Sequence, residues 1–158
     1  MKQIIFMRHA KTEERSLMGA DFERNLKERG KEDAKKISLF LQKRAYLPEI
    51  ILCSPANRTR QTCDLFLKTT HYKGEVKYLE NLYHSEASGI LEMIKEYSDE
   101  HQSIMMIGHN MGISQLANVL CKEGCEELPT AGIVVIEFDS TIELYTGVLK
   151  LYMTPKAI

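Results

Sequence analysis

The sequence predicts an α/β fold with a mostly parallel sheet, and three features carry that prediction. Short β-type runs alternate with stretches of helical period along the chain. Most of those runs are continuously apolar, as strands buried on both faces are. The chain has 158 residues, 44% of them hydrophobic, which suffices for one domain with its own core and no disulfide or structural metal. No internal repeat, low-complexity tract or Pro/Gly-rich linker divides it, so 1–158 reads as a single domain.

Strands are expected over 3–7, 49–53, 75–78, 103–107, 133–138 and 147–152, and helices lie between them. A helix over 29–45 places Ala34, Ile37 and Leu41 on one face, with Phe40 beside them. Asn25, with Glu28 three residues on, has the spacing of a capping box for its start. Lys27, Glu28, Lys31, Glu32, Lys35 and Lys36 read as a mixed, solvated face. A second helix over 56–68 stacks Thr59, Cys63, Phe66 and Leu67. Ser54-Pro55 before it is a common helix start, with Ser as N-cap and Pro at the first helical position. A third over 88–97 stacks Ile90, Ile94 and Tyr97. The fourth, over 112–120, carries the stripe Ile113, Leu116, Ala117, Leu120.

Charge excludes several function classes. Lys+Arg number 21 and Asp+Glu 22, for a net charge of −1. A general binder of nucleic acid or anionic membrane would show a strongly basic face, so any anion held here must be gripped by a few placed cations. The longest apolar runs are about four or five residues, far short of the ~20 that span a bilayer. With no leader-like segment before the first strand, the sequence reads as soluble and cytoplasmic, with monomer as the default. The four cysteines fit a reducing compartment. Cys121 and Cys125 have C-x₃-C spacing but no second Cys/His pair to complete a zinc site, and read as ordinary thiols.

In a parallel sheet, ligands bind beyond the carboxyl ends of the strands, near helix N-termini. Arg8 and His9 follow the first strand; Ser54, Pro55 and, one turn later, Arg58 follow the second; Gly108, His109 and Asn110 follow the fourth. Singly, each has a bland reading as a cap, a turn or a surface residue. Together, two histidines and two arginines on one rim fit an anion site, and their chemistry suits phosphoryl. Arginine presents a planar fork to phosphate oxygens, and a helix N-terminus adds N–H donors. A neutral imidazole can attack phosphorus to give a phosphohistidine that water later hydrolyses. Arg8 and Arg58 beside His9 would hold it unprotonated, and His109 would donate to the oxygens that gather charge. Such chemistry is positioning and charge stabilisation, and demands no metal.

Arg8-His9-Ala10 resembles the Arg-His-Gly motif of the histidine phosphatase superfamily, the phosphoglycerate mutase-like proteins. Residues 54–62, Ser-Pro-Ala-Asn-Arg-Thr-Arg-Gln-Thr, resemble its S-P-x-x-R-x-x-x-T motif, and Gly108-His109-Asn110 its second-histidine motif. The three stand in order along nearly the whole chain. Small size and the segment 21–30 resemble the small, SixA-type phosphohistidine phosphatase branch. The resemblance implies a three-layer α/β/α sandwich and no cofactor. It also implies His9 as the phosphorylated nucleophile, with Arg8, Arg58 and His109 as the phosphate pocket, open to phosphate or sulfate.

Three departures from the family pattern matter. Ala10 replaces a glycine, and a positive φ there would be strained. Lys27 stands where Thr or Ser is usual, so that helix should start differently. The acid that larger members carry after the third strand falls near His84, between Glu80 and Glu86. An alkoxide leaving group needs that acid, whereas the P–N bond of phosphohistidine is already labile. The expectation is therefore a phosphatase acting on a phosphohistidine-bearing protein. His84 is a possible substitute acid, and Tyr83, Asn110 and 130–132 are possible substrate contacts. A small phosphorylated metabolite, or a non-catalytic phosphate-binding module, are the alternatives.

Overall fold

The computed structural model describes residues 1–14 and 20–158. In chain order it contains β1 (Lys2–Arg8), α1 (Glu28–Lys43), β2 (Ile50–Cys53), α2 (Asn57–Thr70), β3 (Glu75–Tyr78), α3 (Ala87–Ser98), β4 (Ser103–Gly108), α4 (Gly112–Leu120), β5 (Ile133–Phe138) and β6 (Val148–Met153). One-turn 3₁₀ helices occur at Asp21–Glu23, Glu80–Leu82 and Pro155–Ala157. The sheet has six strands in the order β3-β2-β4-β1-β5-β6. Strands β3, β2, β4 and β1 are parallel, and β5 runs against both of its neighbours.

Side chains of a strand alternate between its two faces, and here both faces are covered. Ile4, Phe6, Ile50, Leu52, Ile104 and Met106 pack against Ile90 and Ile94 of α3 and Ile113, Leu116 and Leu120 of α4. Ile5, Met7, Ile51, Cys53, Met105 and Ile107 pack against Ile37 and Leu41 of α1 and Cys63 and Phe66 of α2. This three-layer sandwich is why the central strands carry no polar alternation.

Register sets the rim. Arg8 lies opposite Gly108, and Cys53 opposite Ile107, so β1, β2 and β4 end level with one another. Because β5 is antiparallel, the loop that enters it reaches the same edge: Arg8 N–H donates to Gly132 O at 3.1 Å and Ala131 N–H to His9 O at 3.0 Å. On the α1 side, a Cβ at Gly30 would lie 2.1 Å from Lys11 O, so only glycine lets the first turn of α1 rest on the chain just past His9.

Two expected helix starts are corrected. Helix α1 begins at Glu28 with Lys27 as N-cap and no side-chain cap, so the Asn25–Glu28 capping box does not form. Asn25 Oδ1 instead accepts from Asn57 Nδ2 (3.3 Å) and Gln61 Nε2 (2.9 Å). Helix α2 begins at Asn57 with Ala56 as N-cap, so Ser54 is not the cap and Pro55 is not the first helical residue. Ala10 is also free of the strain expected of it. Among the described residues positive φ occurs at Ala45, His71, Ala131, Tyr145 and Gly124, and Ala10 is not one of them.

Candidate active site

The rim brings His9, Arg8, Arg58 and His109 together. His9 is 8% exposed, with its ring centroid 5.5 Å from that of His109. Its Nδ1 lies 2.8 Å from Ala10 O. A carbonyl can only accept, so Nδ1 carries the proton and the lone pair of the neutral ring sits on Nε2. Burial pushes the His9 imidazole down to about 4, and the positive charges of Arg58, Arg8 and Arg24 act in the same direction. A neutral imidazole, anchored through Nδ1–H and with its lone pair on Nε2, beside two guanidinium groups is competent to attack phosphorus.

The loop that carries His9 is tied to α2 by one threonine. Thr62 Oγ1 accepts from Ala10 N–H at 3.0 Å and donates to Arg58 O at 2.7 Å, so the last residue of the 54–62 motif locks the loop that carries His9 to the helix that carries Arg58. Ala10 is buried among Leu26, Ala34 and Ala131, where its methyl fills a small apolar junction.

Arg58 is 7% exposed and held by a residue that sequence reasoning missed. Its Nη1 donates to Asp21 O at 2.9 Å and its Nη2 to Asp21 Oδ2 at 3.0 Å. Tyr83 OH donates to the same Oδ2 at 2.6 Å, and Arg24 Nη1 to Oδ1 at 3.2 Å. The Tyr83 hydroxyl above all, then the Arg24 and Arg58 guanidiniums, hold the Asp21 carboxyl far below the usual carboxylate range. Asp21 is thus an anion that aims Arg58, not a proton donor. Arg8 Nη1 donates to Leu128 O at 3.2 Å while its buried Nε has no partner. Each guanidinium keeps further N–H donors beyond those spent this way.

His109 Nε2 lies 2.7 Å from Ser54 Oγ, while its buried Nδ1 has no partner. Burial pushes its imidazole down to about 3, with Arg58 and His9 adding to the effect. Where the Ser54 hydroxyl donates to Nε2 the neutral ring's own proton sits on Nδ1, and where Nε2–H donates to Ser54 Oγ the lone pair sits on Nδ1. Ser54, which reads as a helix cap in the sequence, is thus the hydrogen-bond partner that orients the second histidine.

The remaining expected positions are placed more loosely. Tyr83 stacks between Phe22 (5.0 Å between ring centroids), His84 (4.0 Å) and His109 (5.6 Å), forming an aromatic wall. His84 is exposed beside Tyr83 and near enough to His109 that its charge helps lower the pKa of that imidazole, and Glu80 and Glu86 are exposed. Asn110 is a tether: its Nδ2 donates to Leu128 O at 2.9 Å, and its Oδ1 accepts from Ser114 Oγ at 2.5 Å. Thr130 is half-buried and Gly132 buried, the latter bonded to Arg8 as above. Among the described residues no group of three or more His, Cys, Asp or Glu is arranged to hold a metal ion, and no helix is long and apolar enough to cross a membrane.

Comparisons with known proteins bear on the family and the fold. Residues 4–87 match the family described as the histidine phosphatase superfamily, branch 1. That span holds Arg8, His9 and the 54–62 motif. An uncharacterized protein of Mycobacterium tuberculosis is 33% identical over 142 residues, covering 82% of this chain and 85% of its own length. A crystal structure of a candidate phosphohistidine phosphatase SixA from Agrobacterium tumefaciens is 25% identical and superposes with a TM-score of 0.87 over 98% of both chains. A structure of the protein histidine phosphatase SixA complexed with tungstate has the same fold, at 20% identity and a TM-score of 0.81 over 98% of both chains. With a matched family profile, a mostly parallel six-stranded sheet and SixA phosphohistidine phosphatases among its structural neighbours, the chain belongs to the histidine phosphatase superfamily.

Proposed function

We propose that the chain is a phosphohistidine phosphatase that works through a covalent phosphohistidine on His9. The observation that carries this reading is the state of His9: buried, neutral, and anchored through Nδ1 so that Nε2 holds the lone pair between Arg58, Arg8 and His109. In the first step His9 Nε2 forms a bond to phosphorus and the substrate's P–N bond breaks. The electron pair of that bond returns to the departing ring nitrogen. If the other nitrogen of the substrate ring is protonated, the imidazole leaves neutral and no enzyme acid is required. In the second step water attacks phosphorus, its protons pass to solvent and phosphate, and His9 regains its lone pair. Arg8, Arg58 and His109 stabilise the equatorial oxygens in both steps.

The surroundings of the leaving group favour a P–N over a P–O bond. An alkoxide would need a proton at departure. Asp21 is held ionised by Tyr83, Arg24 and Arg58, and Glu80, His84 and Glu86 are exposed. Phosphate release from a histidine-phosphorylated protein, an aryl phosphate and a phosphorylated sugar acid, each with the His9→Ala variant as control, tests the reading. The expected result is fast, His9-dependent release from phosphohistidine and poor turnover of the esters. Preferential hydrolysis of the sugar acid phosphate would overturn it in favour of a small-metabolite phosphatase with an acid, and no His9-dependent release at all would favour a binding module.

A further inference from the structure

Four basic side chains outside the phosphate cluster share one cavity. A cavity of about 760 Å³ opens on the α1 side of the rim, and Lys11, Arg29, Lys36 and Lys156 line it, with Asp33 its one lining carboxylate. Asp33 and Arg29 approach only to 3.9 Å, the far limit of an ion pair. Among the described residues Lys11, Lys36 and Lys156 have no carboxylate partner, and all four cations are exposed.

A merely solvated helix face would mix signs, as Glu28, Lys31, Glu32 and Lys35 do on α1. Arg29, Asp33 and Lys36 line the cavity from α1 with one carboxylate between two cations, and the excess of positive charge comes from two distant segments, Lys11 and Lys156, that join them. A chain of net charge −1 thus holds a concentrated positive groove. Its position is informative. Lys11 lies two residues past His9, and Thr130, another lining residue, precedes Ala131, whose N–H bonds to His9 O. The backbone at 9–11 and 129–131 is therefore the wall between groove and phosphate cluster, and the contact of Gly30 with Lys11 O keeps that wall fixed.

We propose that this groove docks an acidic segment of the phosphohistidine-bearing protein while its phosphoryl group enters the His9 cluster. The proposal rests on the phosphohistidine reading above. The groove is too wide and open for one phosphate, and its several separated cations suit a row of carboxylates on an extended chain. Charges of this kind steer encounter and set register, and their effect falls with salt.

The test uses Lys36→Glu/Lys156→Glu, two exposed substitutions away from the phosphate cluster. Turnover is measured on p-nitrophenyl phosphate and on a histidine-phosphorylated protein of net negative charge. At low salt the variant should lose about tenfold or more in kcat/KM on the protein, mainly through KM, and the deficit should shrink at about 0.5 M salt. Turnover of p-nitrophenyl phosphate should not change. An unchanged kcat/KM on the protein would overturn the proposal, as would an equal loss on both substrates. If the unmodified enzyme releases no phosphate from the protein while hydrolysing the aryl ester, the functional reading has failed, and the groove loses its occupant with it.

Discussion

At the scale of single residues, the site is a set of tautomer and orientation constraints on two imidazoles and two guanidiniums. Ala10 O fixes His9, Ser54 fixes His109, and Asp21 fixes Arg58. The four clustered residues were legible in the sequence because each stands at, or within a few residues of, the carboxyl end of a strand and belongs to a motif. Their supports were not. Asp21 sits in a polar stretch with no periodicity, and nothing local ties it to a residue 37 positions away. Ser54 was visible, but its neighbour Pro55 made a helix start the simpler reading. The structure predicts that Ser54→Ala, by removing the hydrogen-bond partner of His109 Nε2, lowers kcat with little change in KM. Loss of one hydrogen bond of roughly 1.4 kcal/mol corresponds to about tenfold in rate. Steady-state kinetics with the His9-dependent substrate checks this; a change confined to KM would mean that Ser54 only shapes binding.

Secondary-structure elements were largely legible where apolar period was strong. Helix α4 and strands β3 and β5 lie where the sequence places them, and the stripes of α1, α2 and α3 face the core as expected. The helix starts were misjudged for a shared physical reason. Asn25, Asn57 and Gln61 spend their amides joining the 20–26 segment to α2, so that Asp21 meets Arg58, and Ser54 spends its hydroxyl on His109. Capping residues were taken up by the site, and α1 was left with Lys27 at φ −74° and ψ 162°, an N-cap without a cap bond. Lys27→Ser restores an acceptor there and should stabilise the protein by about 0.5–1 kcal/mol. Thermal unfolding of the variant should show a raised Tm, and an unchanged or lowered Tm would contradict this account of the helix start.

For the whole molecule, the fold class followed from alternation and apolar runs, but the strand order β3-β2-β4-β1-β5-β6 and the reversal at β5 did not, because register is set by contacts between distant segments. That reversal matters, since it delivers the 128–132 loop to the rim that holds the two histidines. Burying two neutral histidines also makes the fold sensitive to acid. Above about pH 6.5 both are neutral in folded and unfolded chains alike, and stability is unaffected by them. As the pH falls below 6.5, the unfolded chain takes up protons that the folded one refuses until about 4 at His9 and about 3 at His109. His9 alone then removes about 3 kcal/mol by the time its folded pKa is reached. Urea unfolding at pH 7, 5.5 and 4.5 should show that decline, and His9→Gln/His109→Gln should flatten it; an equally steep decline in the variant would place the acid sensitivity elsewhere.

The proposed role of His9 as nucleophile is tested most directly by trapping the phosphorylated enzyme. Mixing the protein with a histidine-phosphorylated substrate, quenching in alkali, where phosphohistidine persists, and mapping the phosphate by mass spectrometry would locate it within the chain. The predicted result is phosphate on His9 that appears before free phosphate accumulates and is absent from His9→Ala. Steady release of phosphate with no label on His9, or label on another residue, would contradict the mechanism.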